Sequence, residues 1–174
     1  RAEVSQLQYG GVGLDSLTLN VESDPDALDY TLGLRKIRFD TLRMEALRIT
    51  GKVASDSIRT RLLILDSLQK KKYEFGGAFY SMQEAIQFRF LPEQVTMNYA
   101  PWTTPADNHL RFTKQGILAH NFSITNINER ISLVTREEKD ARTAIVFKDL
   151  NLQNITNIVE AKVLADGLIN GDFM

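Results

Sequence analysis

The chain has 174 residues, 43% of them apolar and 25% charged, with a formal net charge of -1 and no cysteine. This composition belongs to a folded chain with a real core and excludes disorder. It also excludes disulfides, thiolate metal sites and cysteine nucleophiles, and it leaves no overall basic field to hold nucleic acid or an anionic membrane surface. No apolar run reaches the roughly 18 residues of a membrane-spanning helix. No signal peptide or lipidation motif opens the chain. Arg1 stands first without a methionine and Met174 falls inside a strand-like stretch, so the sequence is expected to be one β-rich segment, residues 1–174, of a longer protein.

Strands are expected from the start. Glu3 to Tyr9 reads as a first strand with imperfect alternation at Val4 and Leu7, followed by a turn at Gly10, Gly11 and Gly13. Leu17, Leu19 and Val21 alternate cleanly with polar residues, the mark of a strand with one buried face. Ser-Asp-Pro-Asp at 23–26 is a turn, because Asp side chains bond nearby backbone and Pro25 fixes φ. Leu28, Tyr30, Leu32 and Leu34 form the next strand, with Ile37 and Phe39 beyond. Leu42, Met44, Leu47 and Ile49 allow strands broken near Glu45 or one helical turn; the neighbouring strands and the lack of a helix cap favour strands. Ile58, Leu62 and Ile64 alternate with Arg59 and Arg61, and Leu63 and Leu65 fill the other face. Lys70, Lys71 and Lys72 read as a basic turn, and Tyr73, Phe75, Gly77 and Phe79 as a strand in which Gly76 and Gly77 mark a bulge or a close backbone approach.

The most regular stretch runs from Ile86 to Ile124, read as four short segments punctuated by Pro92, a Pro101-to-Pro105 turn and Gly116. Its alternating sets are Ile86, Phe88 and Phe90; Val95, Met97 and Tyr99; Leu110 and Phe112; and Leu118, His120, Phe122 and Ile124. Ile131 and Leu133, then Ile145 and Phe147, flank a charged hairpin tip at 136–140. The grammar changes once: Leu152, Ile155, Ile158, Val159 and Val163 are spaced as one stripe of an amphipathic helix, with Asn151 or Asn154 as its cap. Gly167 ends that element and Leu168 to Met174 begins another strand. About twelve strands and one helix result. At ~4.8 Å per strand such a sheet is ~55–60 Å wide, so it must curve into a trough, pair as a sandwich or close as a barrel.

Catalytic and metal-binding constellations are not found. His109 and His120 lie on different strands, where a lone histidine is more often a packing or surface residue than a ligand, and no metal or cofactor is expected. The carboxylates cluster in turns, at Asp24 and Asp26 and at Glu137, Glu138 and Asp140, where solvation explains them. Gly10-Gly11-Val12-Gly13 precedes a strand rather than a helix, the wrong context for phosphate binding by a glycine loop. Trp102 sits between prolines as a plug closing one end of the core or as an exposed platform; the plug is favoured.

The run FRFLPEQVTMNYAPWTTPADNHLRFTKQGILAHNFSITN, the following ISLVT and AIVFKDLNLQNITNIV, and Gly167-Leu168-Ile169-Asn170-Gly171-Asp172 together resemble the C-terminal half of the TamB family. These are the translocation and assembly module relatives within the AsmA-like group. The likeness is best over 57–174 and its motifs are degenerate. It implies a periplasmic β-rich segment of a protein anchored in the inner membrane, mainly β, with a curved antiparallel sheet folded into a taco-like trough of apolar interior. It further implies phospholipid acyl chains as cargo, outer-membrane assembly proteins of the BamA/TamA type as partners, and no nucleic acid.

On this reading the segment is not an enzyme. Its apolar groove is lined by Leu62, Ile64, Phe88, Phe90, Val95, Met97, Tyr99, Leu110, Phe112, Phe122, Ile124, Ile131, Leu133, Ile145 and Phe147. The residues alone favour an ordinary sandwich core for the same face; the resemblance favours the trough. The alternative is a β-sandwich glycan- or protein-binding module with Trp102 and Tyr99 outward. Self-association through exposed strand edges, at Leu168 to Met174 above all, is also expected.

Overall fold

A computed structural model describes residues 1–40, 42–137, 139–158 and 166–174. The first sheet contains β1 (Ala2–Tyr9), β2 (Val12–Ser23), β3 (Ala27–Phe39), β4 (Leu42–Ala54), β5 (Ser57–Leu65), β6 (Lys71–Met82) and β7 (Ala85–Met97). It continues with β8 (Ala100–Pro101), β9 (His109–Thr113) and β10 (Gly116–His120). Strands follow chain order across the sheet, all antiparallel, except that β8 and β9 share β7: β8 pairs its end at Thr96 and Met97, β9 its start at Ile86 to Phe88. A second sheet of β11 (Ser123–Asn126), β12 (Glu129–Glu137), β13 (Arg142–Asn151) and β14 (Leu168–Phe173) turns over the apolar face of the first. The result is a curved antiparallel trough, not closed into a barrel.

Tight turns impose this meander. Gly10 and Gly11, with φ of 55° and 82°, make the two-residue hairpin between β1 and β2, where Tyr9 pairs with Val12. Positive φ at both central positions matches the right-handed twist of the flanking strands, and glycine reaches it without strain. At the next turn the Asp24 carboxylate accepts the N–H groups of Asp26 and Ala27, at 3.0 and 2.8 Å. That is the asparagine-type turn expected from Ser-Asp-Pro-Asp.

Register then collects the apolar residues. Val4, Leu17, Leu34, Leu47, Ile64 and Tyr73 stand side by side on successive strands. Beside them run Leu19, Leu32, Ile49, Leu62, Phe75 and Val95. Each row of six crosses ~24 Å of sheet at ~4.8 Å per strand. Period-two alternation puts polar rows on the other face, among them Asn20, Thr31, Thr50 and Arg61, and Asp29, Lys52 and Arg59.

Four expectations change. Pro92 does not separate two strands. β7 is continuous, and Leu91 to Gln94 bulge out of the ladder opposite Gly76, between the pairs Gly77–Phe90 and Phe75–Val95. A proline cannot donate to the ladder, so it sits where no donor is needed; Glu93, with φ of 66°, turns the chain back. The helix is only α1 (Gln153–Thr156), without a side-chain cap at Leu152, although Asn151 Oδ1 accepts the Gln153 N–H at 2.9 Å. Asn, Thr and Ile are weak helix formers, and no charged residue supports either end of the element. Val159 and Val163 lie outside the described residues, as does Glu138. The count is fourteen strands among the described residues rather than twelve, and Lys71 and Lys72 begin β6 instead of forming a turn.

Candidate apolar groove

The two sheets meet along a seam. Thr103 and Thr125 exchange backbone hydrogen bonds at 2.9 Å, and Leu133 N–H donates to the Phe122 carbonyl at 2.9 Å. The free edge of β10 is met by side chains: Ala119 N–H donates to Thr135 Oγ1 at 2.7 Å, and Thr143 Oγ1 donates to the Ile117 carbonyl at 2.6 Å. These hydroxyls satisfy an edge that would otherwise be a template for another strand. Trp102 fills the fold at 2% exposure, in one cluster with Ile64, Tyr73, Val95, Met97, Ile124 and Leu150. It is the plug rather than the platform, so a binding module with an outward Trp102 is not what this chain builds.

The fifteen sequence-chosen lining residues therefore divide. Ile64, Val95, Met97, Leu110, Phe122 and Ile124 are buried, and Leu62, Phe88, Phe90, Ile131, Leu133 and Phe147 are half-buried. Phe112 and Ile145 remain open at 36% and 41% exposure. Tyr99 does not belong with them. Asn98 and Tyr99 form a two-residue turn with φ of 49° and 68°, and the Tyr99 hydroxyl donates to Asp66 Oδ2 at 2.9 Å. The strand ends at Met97, so the alternation of Val95 and Met97 does not extend to Tyr99.

Between the sheets lies a cleft of about 180 Å³ lined by Phe90, Phe122, Ile124, Ile131, Ser132, Leu133 and Ile145. Six of its seven residues belong to the sequence-chosen set. Aromatic rings wall it: Phe90 stacks on Phe122 with centroids 5.0 Å apart at 24°, and Phe88 stands edge-on to Phe90 at 5.2 Å. Phe79 and Phe75 extend the cluster at 4.8 Å from Phe88 and 6.5 Å from Phe90. Among the described residues Ser132 is the one hydroxyl of the lining, which contains no titratable side chain. Its chemistry is the exclusion of water from something apolar.

Asn108 holds the cleft in shape. Buried at 1% exposure, its amide accepts the Phe90 N–H at 2.8 Å and donates to the carbonyls of Phe90 and Pro105, at 3.1 and 2.6 Å. It takes the place of a neighbouring strand beside Phe90, just beyond the last β7–β9 pair at Phe88 and Leu110. Sequence reasoning did not assign it this role. The inner residues of β2 to β4, such as Leu19, Leu32 and Ile49, were also left out of the lining, although they share its face. The two-residue turns fix which numbers pair, and that signal was in the sequence.

Charged groups lie off this face. Burial alone would raise the Glu74 carboxyl, but hydrogen bonds from Lys71 and Arg61 outweigh it and hold the group below the ordinary carboxylate range. Burial pushes the Tyr73 phenol up to about 12. A hydrogen bond from Asn121, with a smaller contribution from His120, holds Asp107 low, and His120 stacks on His109 at 4.8 Å. Among the described residues no three histidine, aspartate or glutamate side chains converge on a metal-sized site. No helix among them is long and apolar enough to cross a membrane. Comparison with protein-family models, with curated proteins and with solved structures gave no match.

Proposed function

We propose that the trough holds lipid acyl chains, as a non-enzymatic segment of a TamB-like inter-membrane protein serving phospholipid transport or outer-membrane protein assembly. The observation that carries this reading is the apolar face itself. Its two rows run unbroken from β1 to β6 and from β2 to β7; at one end they pack into the buried cluster of Trp102 and Ile124 beside the Phe90–Phe122 cleft, and at the other they lie open, with Val4, Leu19 and Val21 at 41%, 39% and 46% exposure. An isolated exposed leucine is ordinary, whereas a contiguous apolar face marks a surface that meets something apolar.

The energetic role is simple. At ~0.8 kcal/mol per methylene, exposing a chain of about sixteen to water costs on the order of 13 kcal/mol. A face that stays apolar along its length keeps most of that cost from arising during movement. Native mass spectrometry of the chain purified without detergent tests the reading: lipid-sized adducts are expected. The adducts should fall in Phe122→Asp and Phe112→Asp, because an unpaired carboxylate in an apolar path is strongly unfavourable. Protein that stays free of lipid after incubation with phospholipid vesicles would contradict it. Phe112, the more exposed of the two, is the variant in which folding is least at risk.

A further inference from the structure

The polar face of the first sheet carries a second cleft, of about 370 Å³, lined among others by Asp29, Thr31, Lys52, Arg59, Arg61 and Gln94. We infer that it is a binding site for a small soluble phosphate ester, with Arg59 as the anchor.

Its charge is unevenly used. Arg61 is committed to the buried Glu74, and Lys52 lies 3.6 Å from Asp29. Lys71 shares Glu74 with Arg61, and of the three cations that line the cleft Arg59 is the one with no ion pair among the described residues. A guanidinium offers parallel N–H donors that match the oxygens of a phosphate, and such charge-assisted pairs are the strongest hydrogen bonds available here.

The strand ladder places these groups. Asp29, Lys52 and Arg59 are paired in succession across β3, β4 and β5, so they stand in one row, with Thr31, Thr50 and Arg61 in the next. The β7 bulge raises the wall opposite, bringing Leu91 and Gln94 to the cleft. Gly76 makes room for it, since a Cβ there would lie 2.2 Å from Gln94 Oε1. Threonine hydroxyls, the Gln94 amide and the Asp29 carboxylate supply partners for ligand hydroxyls around the anion, which points to a phosphorylated polyol or sugar.

A phospholipid headgroup has the same chemistry, but the sheet stands between this cleft and the apolar face. Arg59 shares one row with Asp29 and Lys52, whereas Ile58 stands in the apolar row of Val53 and Phe79 across a single layer of backbone, so one lipid cannot occupy both faces. The soluble ester is therefore the favoured source.

Titration calorimetry of the whole chain, with glycerol 3-phosphate and with inorganic phosphate, tests the site; phosphatidylglycerol vesicles form the second arm. Saturable binding of glycerol 3-phosphate is expected. Arg59→Ala should weaken it by about tenfold or more, the usual worth of a hydrogen-bonded charge. Arg59→Lys should fall between, and Arg48→Ala, on the same face outside the cleft, should leave it unchanged. The Arg59 Nε–H resonance should shift on titration in the parent protein, a readout that a purely structural role would not give. Equal weakening by Arg48→Ala and Arg59→Ala would mean diffuse charge and overturn the site, as would no saturable binding of either phosphate at tens of millimolar, roughly −2 kcal/mol in affinity. Vesicle binding with the soluble ester silent would overturn the assigned ligand.

Discussion

The two ends of the first sheet are written in the same grammar and meet different fates. In β5 to β7 the inward residues Ile64, Tyr73 and Val95 are sealed at 1–3% exposure under β11 to β14. In β1 and β2 the same rows, at Val4 and Leu19, are left about two-fifths exposed. Alternation tells which face is apolar; it does not tell whether a second layer reaches that face. Coverage is decided by the seam and by Trp102, both products of the chain after Met97.

Substitutions at the two ends test this contrast. The largest effect is expected at the plug: Trp102→Ala should cost about 3–5 kcal/mol in unfolding free energy, the range for removing a large buried aromatic. Leu19→Ala on the open face should cost less than about 1 kcal/mol, because little packing is lost there. Denaturant titration of both variants measures the difference, and equal costs would mean that the two ends are equally covered. Asn108→Ala comes next, at about 3 kcal/mol, since the Phe90 N–H and C=O lose their partner in a buried place. The same change should lower acyl-chain binding in the cleft, where Leu19→Ala should leave the cleft itself intact.

Glu74→Gln should cost about 2 kcal/mol at neutral pH by weakening charge-assisted bonds from Arg61 and Lys71. The Glu74 carboxyl is held below its ordinary value in the fold, so its contribution is complete above the unfolded-state pKa and disappears as pH falls through the lower folded one. Stability measured from neutral pH down through the range around and below 4.5 should therefore drop more steeply in the parent than in Glu74→Gln. The smallest expected effect is that of Tyr73→Phe. The Tyr73 hydroxyl is buried without a hydrogen-bond partner among the described residues, so its removal should change stability at neutral pH by no more than about 0.5 kcal/mol or improve it. Its raised pKa reverses the sign of the Glu74 case: the phenol's contribution holds below pH 10 and is lost as pH rises towards about 12. Absorbance titration should find one of the five tyrosines ionising about two units late or only on unfolding, and Tyr73→Phe should abolish that step.

Much of this architecture is written locally. Gly10-Gly11 and Ser-Asp-Pro-Asp define their turns, and Leu17 to Val21 and Ile86 to Phe90 define their strands, because backbone sterics and side-chain alternation act over a few residues. Six of the seven cleft residues were legible for the same reason. The failures are the places where distant partners decide. Pro92 looks like a strand end unless Gly76 is known to lie opposite and leave room for a bulge. Tyr99 continues an alternating pattern, but the hairpin between β7 and β8 takes it into a turn towards Asp66. Asn108 is an unremarkable loop residue until Phe90 needs a partner on its open edge. The helical stripe at Leu152 to Ile158 is real as spacing, yet it shortens to one turn in a run of weak helix formers. Ile158 still packs against the core.

On the proposed reading, acyl chains lie on the inner face of the trough and enter the cleft between the sheets. The most direct measurement is photo-crosslinking of the chain to a fatty acid carrying a diazirine in its tail, with adducts assigned to residues by mass spectrometry. Adducts are expected at inward positions of β2 to β4, such as Leu19 and Leu32, and around Leu133 and Ile145, competed away by unlabelled phospholipid. Adducts on the polar face, or spread without preference over both faces and unaffected by competitor, would contradict it.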